Sequence, residues 1–236
     1  MFRNYRIGIQ VNGEFGASIP HTEEAIKTML EYRAPARKPD EVIWELVDVD
    51  AVATDIAERR NQGLEEPPEG WLPGYAGFLR DKEGIHYEGR CIRGHLKDAA
   101  FSIREMDGIN LKNFRAKFVQ HIYIQRNPND AIFMYRDGDR ILEPDGVQQR
   151  FIQVMTRQGP RSSIKYVDYV INPTMYFTVK LLDDGVIKPE HLTMALEFGS
   201  VHGMGAERSQ GWGTYDILSI EEVTNEPASR ELVTAD

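Results

Sequence analysis

Cysteine is almost absent: Cys91 is the only one in 236 residues. A single thiol excludes a disulfide framework and a cysteine-built zinc site. Long apolar runs are missing too, and none approaches the ~20 residues a helix needs to cross a bilayer. The first residues, Met-Phe-Arg-Asn-Tyr-Arg, carry no apolar leader and run into a strand pattern, so the expectation is a cytoplasmic chain with no membrane attachment. None of the six histidines has a carboxylate four residues away, so no metal site and no cofactor are expected. A general basic excess is also lacking, since the formal net charge is −9.

The charge is unevenly spread. Asp40 to Gly70 holds ten acids against Arg59 and Arg60, and residues 221–236 hold five acids against Arg230, which reads as a frayed acidic tail. Between Gly89 and Phe118 the balance reverses. Arg90, Arg93, Lys97, Arg104, Lys112, Arg115 and Lys117 oppose Asp98, Glu105 and Asp107. On an acidic body that stretch is either a phosphate-binding stripe or a solvated helix face with paired charges.

Along the chain, Tyr5, Ile7, Ile9 and Val11 alternate as in a half-buried strand. Thr22 offers an N-cap to a helix carrying Ile26, Met29 and Leu30, which should end near Tyr32 before a proline-rich stretch at 34–39. A helix is expected after Asp50, an exposed connection over 61–74, and a hairpin from Phe78 to Tyr87. Ile92, Leu96, Ala99, Ala100 and Ile103 share one side of the next helix. Phe118 to Ile124 and Ala131 to Tyr135 read as strands within a polar, turn-rich excursion over 107–160. Strands at 163–171 and 174–182 flank Asn172-Pro173. Pro189 opens a last helix that Gly199 can cap, and Tyr215 to Ile220 is a final strand. With two insertions set aside, at 13–88 and 107–160, the order is strand, helix, strand, strand, helix, strand. That βαββαβ series predicts an α+β, ferredoxin-like or RRM-like core in a single domain over 1–236.

Two motifs stand out. In the first, Gly89 opens the helix at 91–105, and Arg90, Cys91 and Arg93 sit in its first turn, where free backbone N–H groups attract anions; Gly94 and Lys97 follow. In the second, Gly203, Gly205, Gly211 and Gly213 form two Gly-x-Gly pairs around a five-residue segment bearing Arg208, with His202 just before. Four glycines in eleven residues describe a loop shaped by its backbone. A dinucleotide fingerprint does not fit, because the loop joins a helix to a strand and the third glycine is missing.

Tyr87 to Lys97 resembles the "I-P-G-S-S-L-K-G-A-L-R" helix start of RAMP proteins, the repeat-associated superfamily of CRISPR effector subunits. Gly89, Ile92, Arg93, Gly94, Leu96 and Lys97 match by identity or type, whereas Glu88, Arg90 and His95 depart. Gly203 to Gly213 matches the family's G-x-G-x5-G-x-G loop in full, Arg208 included. The resemblance implies that both motifs grip an RNA backbone: Gly89, Arg90, Cys91, Arg93, Gly94 and Lys97 on one side, and His202, Gly203, Gly205, Arg208, Gly211 and Gly213 on the other. It further implies a guide or repeat-derived RNA, polymerisation with copies of the chain or related subunits, a lid-like insertion at 13–88 and a thumb-like one at 107–160.

Similar subunits that cleave target RNA use an aspartate after the first strand; here residues 1–39 contain none, and their acids include Glu14, Glu23 and Glu24. Relatives that process repeat RNA without metal use a histidine, for which His21 is the candidate. Three readings stay open: a non-catalytic RNA-binding subunit, a metal-independent endoribonuclease, and the same fold recruited for protein assembly without RNA.

Overall fold

The computed structural model describes residues 1–33, 48–61, 75–106, 109, 111–125, 131–156 and 159–223. The proline-rich stretch at 34–39, most of the acidic 40–70 stretch, the connection at 62–74 and the tail beyond Val223 lie outside these residues.

The first strand, β1 (Phe2–Val11), follows its alternation: Tyr5, Ile7, Ile9 and Val11 are buried on one side. It lies between β12 (Thr174–Leu182) and β13 (Tyr215–Val223), antiparallel to both. Beyond β12 come β7 (Ile122–Ile124) and β8 (Ala131–Arg136), with β9 (Asp139–Arg140) on β8. The hairpin of β5 (Leu79–Asp81) and β6 (Gly84–Glu88) completes the far edge. Two helices cross this sheet. α3 (Gly89–Ile103), continued by α4 (Phe114–His121), leads from the β6 side to β7, and α5 (Pro189–His202) leads from β12 to β13. Because β12 and β13 are both antiparallel to β1, α5 joins parallel strands with one antiparallel strand between them, a split βαβ unit. The fold is α+β. No helix among the described residues is long and apolar enough to cross a membrane.

A second sheet holds β10 (Gly146–Thr156), β11 (Gly159–Ile171), β4 (Tyr75–Gly77) and β3 (Ile19–Pro20), with β2 (Glu14–Gly16) also on β11. This corrects the expected core order. Residues 163–171 form a strand, but in this second sheet, and the place beside β12 is taken by β7 and β8. Consecutive strands around Asn172-Pro173 thus part company, since Asn172 takes a left-handed φ of 49° and turns the chain from one sheet to the other.

Other differences have local causes. Phe118 to His121 is helix rather than strand, because Phe114, Phe118 and His121 recur at i, i+4 and i+7 and are all buried. α5 does not end at Gly199; it runs on to His202, with Gly203 at its C-cap. Gly199 serves packing instead, since a Cβ there would collide with His95 on α3 and lie 2.7 Å from the Tyr215 hydroxyl. Glu221 to Val223, expected to fray, pair with β1, and Arg3 binds Glu222. Residues 13–88 supply β5 and β6, and 107–160 supply β7, β8 and β9 to the main sheet.

The helix from the Thr22 cap is α1 (Glu23–Arg33), where the Ala25 N–H donates to Thr22 Oγ1 at 3.3 Å. With α2 (Val49–Asn61) it closes a small separate core of Ile26, Ala53 and Ala57. The main core fills the space between the inner face of the first sheet and α3, α4 and α5, with Ile7, Ile9, Ile92, Leu96, Phe118 and Leu196 buried at its centre.

Candidate nucleic-acid interface

The glycine loop is folded by its own glycines. The Met204 N–H donates to the Gly213 carbonyl and the Gly213 N–H to the Glu14 carbonyl, each at 2.9 Å, so the two Gly-x-Gly pairs cross at the base of the loop. Gly213 has φ 72°, and a Cβ there would overlap the Met204 carbonyl. Gly205 has φ 79°, and a Cβ there would stand 2.6 Å from the Gly16 carbonyl. Only glycine tolerates both the left-handed backbone and such contacts. Ala206 pairs back with Gly16, and Trp212 packs with Val167 and Ala206 beneath the second sheet, under the Arg150 guanidinium at 4.8 Å.

This construction changes the role expected of the glycines. The N–H groups of Gly203, Gly211 and Gly213 already serve Gly199, Arg208 and Glu14, so these three residues build the loop rather than donate to a ligand. What the loop presents is its five-residue tip. There Arg208 begins a single 3₁₀ turn through Gln210, half-buried, with its guanidinium 3.5 Å from Asp98 on α3. A pair this exposed contributes about 0–1 kcal/mol, little enough for a phosphate to displace the carboxylate.

α3 divides the other expected residues between its sides. Gly89 is buried at the helix start, and Cys91 is half-buried beside Tyr87. Arg90 is held by Glu88, a residue that also places an acid at the positive end of the helix. Arg93 turns toward α4, donating to the Val119 carbonyl at 2.7 Å and lying 5.8 Å over the Tyr123 ring. Asp98, the partner of Arg208, is five residues on, about 140° around the helix. The structure therefore brings Arg208 to α3 but not to Arg93. Lys97 and Gly94 lie on the exposed face between them, and Lys97 has no ion pair among the described residues.

Between the loop and the second sheet lies an open groove of about 880 Å³ lined by Gly205, Glu207, Arg208, Val201, His202, Phe151 and Gln153. His202 stacks on Phe198 with ring centroids 5.6 Å apart. Phe151, on β10, is 80% exposed. Sequence reasoning missed Phe151, because alternation along a hairpin does not say which of its faces is left uncovered.

Beneath Arg208 lies a buried histidine. His95 is 6% exposed, and its Nε2–H donates to the Tyr215 oxygen (3.1 Å), which in turn donates to the Leu196 carbonyl (3.0 Å). Burial first, then the charges of Arg208 and His202, push its pKa down to about 4, so the ring is neutral near pH 7.

His21 lies elsewhere. It is 3% exposed, its ring 6.0 Å from that of Tyr75 and close to Asp168 across Gly77. Asp168, 1% exposed, accepts from the Tyr75 hydroxyl (2.5 Å) and from Arg80 (3.3 Å), and burial raises its pKa despite both partners. Arg80 also binds Glu143, so this cluster ties β4, β5 and β11 together. A histidine sealed inside it is out of reach of an RNA 2′-hydroxyl. Among the described residues no group of three or more His, Cys, Asp or Glu gathers to hold a metal ion.

No family model and no curated protein matches the chain. Among solved structures, a chain of the cryo-EM structure of the Type III-B Cmr-beta complex bound to cognate target RNA aligns with a TM-score of 0.46 and 10% sequence identity. The alignment covers 94% of this chain and 61% of that chain, so this chain spans about three-fifths of its length.

Proposed function

We propose that the chain is an RNA-binding, RAMP-like subunit that grips a guide RNA backbone and assembles with copies of itself or related subunits into a CRISPR-type ribonucleoprotein. One observation carries this reading: the crossed glycine pairs raise Arg208 beside α3, at the rim of an open groove that the second sheet closes on its far side. Arg208, Lys97 and His202 meet the phosphates, with Gly94 allowing close approach on α3. Contacts of this kind position RNA without reading its sequence. Within this reading β13, β1, β12 and β7, with α3 and α5, form a ferredoxin-like core. The thumb is then the β10–β11 hairpin rather than all of 107–160, α1 and α2 belong to the lid, and residues 224–236 form the acidic tail. Val147 and Phe151, 54% and 80% exposed on the edge strand β10, give the hairpin an apolar surface for a neighbouring subunit.

The test is the mass and absorbance ratio of the purified protein at low salt, with and without RNase, followed by titration of labelled RNA. The expected result is RNase-sensitive nucleic acid in a species heavier than the monomer. Arg208→Ala and Lys97→Ala should each weaken binding about equally for unrelated RNA sequences and lower the salt slope by about 1. Wild-type affinity and slope in both variants would remove the site assignment.

A further inference from the structure

The first sheet has a second face. Side chains alternate along β1 and β12, so Ile7, Ile9, Phe177 and Val179 turn to the helices while Arg6, Gly8, Tyr176 and Thr178 turn away from them. On that outer face Tyr176 is 45% exposed.

The position of Tyr176 is built. It pairs with Gly8 across the strands, and its ring edge lies against the Gly8 backbone, 2.9 Å from where a Cβ would stand. Any larger residue at position 8 displaces the ring. Arg6 brings its guanidinium to 5.9 Å from the centre of the same ring, and Tyr135 approaches from β8 with its centroid 6.2 Å away. Glu221 stands directly opposite Arg6 in the register with β13, yet Arg6 forms no ion pair among the described residues. A groove of about 430 Å³ runs beside the ring, lined by Arg6, Gln125, Tyr135, Tyr176 and Thr178 among others. That volume lies within the ~300–1,000 Å³ of small-ligand pockets.

We propose that this outer face is a second nucleic-acid contact, where an unpaired base of a single strand stacks on Tyr176 beside Arg6. A braced tyrosine with an unpaired guanidinium offers a π-face and a cation together, which is how sequence-tolerant single-strand binders hold bases. The Gln125 amide and the Thr178 hydroxyl supply hydrogen-bonding groups for the base edge. The occupant is a base rather than a run of phosphates, because Asp216 and Glu221 on β13 offset the cations of this face. A second protein subunit fits less well. A stable interface buries about 800 Å² per partner around an apolar core, whereas here Tyr176 sits among Arg6, Gly8, Ser219 and Glu221, and the exposed Phe2–Tyr123 pair lies at the other end of β1. The proposal does not depend on the glycine loop, which lies on the helix side of the sheet.

The probe is a fluorescent oligouridine of about twelve nucleotides, titrated into the full chain, together with ultraviolet cross-linking and peptide mapping. Tyr176→Ala should weaken binding about 5- to 150-fold with the salt slope unchanged, the span expected for one lost base–aromatic stack. Tyr176→Phe should keep wild-type affinity, and the β12 peptide should carry a cross-link that survives Arg208→Ala. Three outcomes would overturn the proposal: unaltered affinity in Tyr176→Ala with no β12 cross-link, no binding of the probe by the wild-type chain, or a Tyr176→Ala variant that loses only self-association. Loss of binding in Arg208→Ala alone, with Tyr176→Ala silent, would instead leave the glycine-loop site standing without this one.

Discussion

The glycine loop and the start of α3 look alike in sequence, each a string of glycines with basic residues, but they are built to opposite requirements. In the loop Gly203, Gly205 and Gly213 are pressed against backbone, and only Gly211 is open. Gly213 and Gly205 occupy left-handed backbone pressed against the carbonyls of Met204 and Gly16, while Arg208 stands out at the tip. On α3, Gly94 faces open space and has nothing within 4 Å of a would-be Cβ. There the surrounding side chains decide what the surface offers: Arg90 is held by Glu88, Arg93 by α4, and Lys97 is left exposed. Glycine is thus an architectural requirement at 203, 205 and 213 and an open surface at 94. A motif match alone does not separate the two.

Substitution should separate them. The largest effect is expected from Gly213→Ala, where a left-handed φ combines with overlap of a backbone carbonyl. It should cost about 3 kcal/mol or more, lowering the Tm by roughly 6–12 °C in a chain of this size. A thermal melt of the variant at the wild-type temperature would show that the crossed pairs do not hold the loop.

The next effect concerns pH, through the histidine that α3 buries beneath the loop. The folded-state pKa of His95, pushed down to about 4 from an ordinary 6.5, means that the unfolded chain takes up a proton first as the pH falls. This stability is therefore present above pH 6.5 and is lost between 6.5 and about 4, by up to about 3 kcal/mol. Urea midpoints measured at pH 7, 5 and 4 should fall accordingly. His95→Leu should flatten that part of the profile, and an equally steep fall in the variant would assign the acid sensitivity to other groups.

The smallest effect sharpens the contrast most. Gly94→Ala places a methyl group in open space within a helix and should add about 0.5–1 kcal/mol of stability. If its RNA affinity falls while its stability rises, the exposed glycine serves close approach of a ligand. Unchanged affinity would make Gly94 ordinary helix surface.

Most of the elements were legible in the sequence, and most errors concerned their partners. The alternation of β1, the Thr22 cap, the Phe78–Tyr87 hairpin and the buried side of α3 follow from local spacing. The strand at 163–171 was legible as a strand but not as a member of the second sheet, because pairing depends on residues far away in the chain. Phe114, Phe118 and His121 were a helical series broken across two expected segments, which hid α4.

The sequence by itself determined which residues could form the loop. Its glycine spacing already specifies positive φ and close backbone contact, requirements that are local and chemical. Only the tertiary structure decided what those residues face. It turned Arg93 toward α4 and Arg208 toward Asp98, sealed His21 inside the Tyr75–Asp168 cluster, and left Phe151 and Tyr176 exposed on different sheets. The reason is physical. Secondary structure follows from neighbours a few residues apart, whereas the exposure of a side chain depends on which distant element packs against its face.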